Sequence, residues 1–165
     1  MFSCAPADRS SHHRNKDLRT YDNRALAHAT GIAQTHKLPL VVLHVFSPGD
    51  YKAHDRSARR IDFQLRQMRY LTDEFAKLDI PFYTVTWDKR KQIPTKLLDL
   101  LEEWKASHLV GNIEHEVDEL RRDTEVIEKM TAARKGGDGW KGEATFLADF
   151  CIVPPGEVLT KVRDS

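Results

Sequence analysis

An α/β fold, with a parallel sheet covered by helices on both faces, is predicted by three observations. Short apolar, β-branched runs recur along the chain, amphipathic helical stretches alternate with them, and 165 residues suffice for one domain of this kind. Hydrophobic residues at 40 % against 31 % charged give enough apolar surface to close a core. The longest apolar runs, such as Leu40 to Phe46, fall far short of a membrane span, so a membrane-crossing role is excluded.

Four runs read as buried strands because each is compact, apolar and ended by turn formers: Leu40 to Phe46, Phe82 to Trp87, Leu109 to Asn112 and Phe150 to Val153. Before the first, Asp22 is placed to cap a helix whose apolar side is Ala25, Leu26, Ala29, Ile32 and Ala33, and Pro39 stops the chain. Between the first and second, Ile61, Leu65, Met68, Phe75 and Leu78 keep a helical stripe from about Ser57 to Leu78. Pro94 suits the first turn of a third helix carrying Leu97, Leu98, Leu101 and Trp104. Val117, Leu120, Ile127 and Met130 mark the apolar side of a fourth. Residues 134–143 hold Gly136, Gly137, Gly139 and Gly142 and read as a glycine-rich surface loop without phosphate-loop spacing. Residues 1–14 read as a poorly structured tail, since Asp8 to His13 has almost no strand character.

A net charge of +1 conceals two biased segments. Six bases stand against Asp55 and Asp62 between Lys52 and Tyr70, and seven acids stand against Arg121 and Arg122 between Asn112 and Glu128. Solvated helix faces account for both, and the overall balance carries no nucleic-acid footprint. Cys4 and Cys151 form neither a disulfide framework nor a metal pair, and the N-terminus has no apolar signal core; a cytoplasmic or nuclear setting fits.

The segments Asn15 to Leu26 (NKDLRTYDNRAL), Phe46 to His54 (FSPGDYKAH), Asn112 to Asp123 (NIEHEVDELRRD) and Cys151 to Thr160 (CIVPPGEVLT) resemble, in order and spacing, the N-terminal domain of class I cyclobutane-dimer DNA photolyases, the fungal branch most closely. The resemblance spans residues 15–162. It implies a Rossmann-like five-stranded sheet that holds a light-harvesting antenna, methenyltetrahydrofolate or a deazaflavin. By position it assigns His54, Asp118 and Glu119 to that antenna, because carboxylates accept from the amine and amide N–H groups of a pterin. Asp118 stands where the family has an amide. Arg19 is expected to pair with carboxylates across the sheet's carboxyl edge.

The same resemblance implies that the FAD-binding helical domain and its tryptophans lie outside this chain, so no FAD and no photolyase activity are expected of it alone. It also implies that the family's first, central strand is missing or degenerate here. Two half-sheets with bare inner edges would result, and self-association into a homodimer through the open edge is the expectation. The leading functional reading is a module that binds a small aromatic or nucleotide-like ligand, or a protein. A second is a metal-dependent nuclease or hydrolase, in which Glu114, His115, Glu116 and Asp118 would ligate magnesium. A third is an interaction module without a ligand.

Overall fold

The computed structural model describes residues 10–14, 18–49, 57–149 and 151. Five strands form one parallel sheet: β1 (Ser10–Arg14), β2 (Leu40–Phe46), β3 (Phe82–Thr86), β4 (His108–Asn112) and β5 (Glu143–Leu147), in the order β3-β2-β1-β4-β5. Helices α1 (Arg24–His36), α2 (Ala58–Ala76), α3 (Ile93–Glu103) and α4 (Val117–Arg134) connect them.

Alternation along β2 and β4 sends side chains to two separate cores. Val42 packs against Leu71 and Phe75 of α2, while Leu40 and Val110 pack against Ala25, Ala29 and Ala33 of α1. On the opposite face Leu43, Val45 and Leu109 meet Ile93, Leu97 and Leu101 of α3 with Val126 and Met130 of α4. Helices therefore cover both faces, two on each, and the chain switches faces after β3. The Phe75 ring stacks on Phe82, with centroids 5.8 Å apart, and fixes the end of α2 against β3.

The sheet corrects the expected gap. Ser10–Arg14 is the central strand, in register with Leu40–His44 on one side and with Val110 and Gly111 on the other. A polar stretch is accepted there because both neighbours offer unpaired backbone groups, and this ladder outweighs weak intrinsic strand preference. The open inner edge on which self-association was expected is thus filled, and the sheet's edges are β3 and β5.

The fifth strand is also displaced from its expected place. Glu143–Leu147 pairs with His108–Asn112, whereas of Phe150 to Val153 only Cys151 is described, and it is an exposed, non-strand residue. The glycine-rich stretch before β5 is partly interior. Trp140 is buried in the α3–α4 core and its indole N–H donates to Ala106 O at 2.6 Å. A Cβ on Gly142 would stand 2.2 Å from the Trp140 ring, so only glycine passes that point. On α4 the buried side is Glu119, Arg122, Asp123, Val126, Met130 and Ala133. Val117, Leu120 and Ile127, expected inside, face solvent, because ion pairing rather than apolar burial fixes the helix's first two turns.

Two substitutions test this packing. His12→Pro removes a backbone donor from the central strand and is expected to abolish cooperative unfolding followed by near-UV circular dichroism. Leu97→Ala empties a fully buried position and is expected to cost about 2–5 kcal/mol in urea titration.

Candidate functional site

Parallel strands end on the same side of a sheet, so the segments that follow them line one carboxyl edge. Residues 18–23 follow β1, 87–92 follow β3, 113–116 follow β4 and 148–149 follow β5. The strand order reverses between β1 and β4, the point of such sheets outside which ligands generally bind.

One polar cluster at this edge braces the fold. Asp149 Oδ2 accepts from Asn112 Nδ2 at 3.0 Å, from Arg19 Nη2 at 3.0 Å and from the Arg24 backbone N–H at 3.3 Å. Asn112 Oδ1 accepts from Ala25 N at 3.1 Å, and Asn23 Oδ1 caps α1 by accepting from Leu26 N at 2.8 Å. The expected pairing of Arg19 with a carboxylate is met. Asn23 and not Asp22 is the N-cap; Asp22 adopts φ +47° and pairs with Arg19 at 3.6 Å. A neutral amide fits this place better, since a carboxylate there would set a second anion beside Asp149.

A second cluster lies where β3 and β4 end. Arg90, on a single turn of 3₁₀ helix (Arg90–Gln92), bridges the first turn of α4: Nη1 meets Asp118 Oδ2 at 3.0 Å and Nη2 donates to Glu119 Oε1 at 2.7 Å. The Glu119 side chain is 2 % exposed and Asp118 46 %, so the pair is sealed on one side and open to solvent on the other. Beneath it, Arg122 Nε and Nη2 donate to Asp123 Oδ1 at 2.8 and 2.7 Å, and Arg122 Nη2 lies 3.8 Å from Glu114 Oε2. All three side chains are buried. Burial holds the Asp123 carboxyl above the usual aspartate range, opposed by the adjacent Arg122 and reinforced by Glu114.

Of the residues expected to touch an antenna, Asp118 and Glu119 are brought together on one guanidinium, and His54 lies outside the described residues. The acidic and histidine residues of the hydrolase reading do not converge. Glu114 turns inward to Arg122, Asp118 turns to Arg90 and Glu116 is exposed at the start of α4. Among the described residues no group of three or more His, Cys, Asp or Glu side chains could hold a metal ion, so the magnesium site is withdrawn. Arg90 is the residue that sequence reasoning missed. Its signal was positional: a base in the turn after the third strand, on the same edge as an acidic helix start.

The DNA photolyase family profile matches residues 12–164. The chain is 41 % identical over 140 residues to the deoxyribodipyrimidine photo-lyase of Neurospora crassa, covering 85 % of this chain and 22 % of that protein. It is 34 % identical over 117 residues to that of Arabidopsis thaliana, covering 71 % and 22 %, and 25 % identical over 146 residues to that of Vibrio cholerae, covering 88 % and 29 %. The chain thus spans less than a third of the length of these relatives.

Asp123 gives a pH test. A carboxyl whose pKa is raised by folding contributes stability below its unfolded pKa, and that contribution is lost as pH rises through the folded value. Stability is therefore expected to fall as pH rises above the ordinary aspartate range, and Asp123→Asn to flatten that fall in urea unfolding measured across a pH series.

Proposed function

The chain belongs to the DNA photolyase family, and from that premise we propose that it is an antenna-binding α/β domain, which takes up a small aromatic chromophore at the carboxyl edge of its sheet. The observation that carries this reading is the carboxylate pair Asp118–Glu119, half sheltered at the start of the helix that follows β4, one of the two strands between which the strand order reverses. Its chemistry suits a pterin, whose amine and ring N–H groups form a row of donors for carboxylate oxygens. It suits a deazaflavin less, because an imide sets a carbonyl on each side of a single N–H and would face these carboxylates with acceptors. Methenyltetrahydrofolate is accordingly the preferred ligand class. His54, Asp118 and Glu119 are the residues assigned to it.

In this reading the domain absorbs light and passes excitation on. A cytoplasmic or nuclear location accords with it; among the described residues no helix is long and apolar enough to cross a membrane.

Titration with methenyltetrahydrofolate, followed by its near-UV absorption and fluorescence, tests the assignment. Glu119→Gln removes one charge-assisted contact and is expected to weaken binding about 10- to 100-fold, with His54→Ala also weakening it. Binding unchanged by both substitutions overturns the site.

A further inference from the structure

The solvent side of α4 is patterned in a way that neither its packing nor its ion pairs explain. Val117, Leu120 and Ile127 are 63, 39 and 42 % exposed, and with Thr124 and Thr131 they form one stripe whose members are spaced 3, 4, 3 and 4 residues apart. Such spacing keeps side chains on a single seam between two helices. No charge interrupts the stripe, although Arg121, Glu128 and Lys129 occupy neighbouring exposed positions. The Thr131 hydroxyl is already used, donating to Ile127 O at 2.7 Å, so a partner can cover it without stranding a donor. Residues 117–131 of the helix span about 21 Å. An exposed apolar strip with a charged border marks a docking surface.

We propose that this stripe is a self-association surface, on which a second copy of the chain lays its own α4 antiparallel about a two-fold axis. Charge selects both the occupant and the direction. Arg121 and Glu128 lie two turns apart along the same border of the stripe, so an antiparallel copy sets each Arg121 beside the other copy's Glu128. Leu120 and Ile127 then fall against Thr131 and Thr124 of the other copy. The opposite border holds Asp123 and Met130, which are buried in the chain's own domain. An antiparallel pair joins like borders and needs only the free one, whereas a parallel pair joins opposite borders and is obstructed. Arg121 can turn to a partner, since it is 78 % exposed and its Nη1 lies 3.8 Å from Asp118 Oδ1, beyond hydrogen-bond reach. The seam is narrow. Three apolar side chains from each copy bury less than the roughly 1,200 Å² of the smallest specific stable interfaces, so the dimer is weak and forms at high protein concentration. This surface is distinct from the inner sheet edge, which β1 fills, and its role does not depend on the antenna reading.

Sedimentation equilibrium of the whole chain, from low micromolar to millimolar concentration, tests the proposal. The average mass is expected to rise reversibly from monomer toward dimer. Leu120→Glu and Ile127→Glu alter exposed positions, keep the fold as judged by circular dichroism, and are expected to hold the chain monomeric. Arg121→Glu and Glu128→Arg each set like charges opposite one another at two symmetric places and are expected to weaken association about tenfold or more. Mixed in equal amounts, these two variants are expected to associate as wild type does, because each supplies the charge that the other lacks. The double exchange Arg121→Glu with Glu128→Arg is expected to restore association within one chain. A chain that stays monomeric throughout overturns the proposal. So does a dimer indifferent to Leu120→Glu and Ile127→Glu, which would locate association at another surface such as the β5 edge, and so does a mixture of the two charge variants that associates no better than its components.

Discussion

Buried carboxylates at the carboxyl edge of the sheet are tolerable only because arginines neutralise them, and the arrangement of the edge follows from that requirement. Asp149 is held by Arg19, Glu119 by Arg90, and Asp123 with Glu114 by Arg122. In the first two cases the partners come from segments far apart in sequence, so each pair ties the segment after one strand to the segment or helix after another. Removing one member of such a pair typically costs about 3–5 kcal/mol, because the other is left charged and dry. The pairs consequently fix where residues 18–24, 90–92, 113–123 and 148–149 sit more firmly than the apolar contacts of those short segments could.

Much of the fold was legible because β2 and β4 are apolar runs and α1 and α3 keep clean helical stripes. On α2 the buried residues are Leu71 and Phe75, while Leu65 and Leu78, read as part of its apolar side, are exposed, and the edge strand β3, read as buried, is largely exposed. What sequence did not reveal shares one cause: local hydrophobicity was a poor guide wherever backbone ladders or ion pairs do the holding. The central strand Ser10–Arg14 is polar yet paired on both sides. The edge strand Glu143–Leu147 is only half buried, so the more apolar Phe150 to Val153 drew the assignment that belonged to it. On α4 the apolar stripe Val117, Leu120 and Ile127 points outward, while Glu119, Arg122 and Asp123 point in. A reading that treats charge as surface inverts this helix. The choice of Asn23 over Asp22 as cap needed knowledge of Asp149, more than a hundred residues away.

The candidate site divided along the same line. Asp118 and Glu119 could be named from a short motif, but their state could not, since Arg90 reaches them from the turn after β3 and nothing in the local spacing ties the two segments. The acidic and histidine cluster of residues 114–118 illustrates the converse. Neighbours in sequence are drawn apart, Glu114 inward to Arg122 and Asp118 sideways to Arg90, once each has found its own cation.

A desolvated carboxylate without compensation would destabilise the domain. With Arg90 on Glu119, Arg122 on Asp123 and Arg19 on Asp149, the carboxyl edge carries its charge balance within the chain, so the segments that follow four of the five strands are positioned by the chain's own side chains.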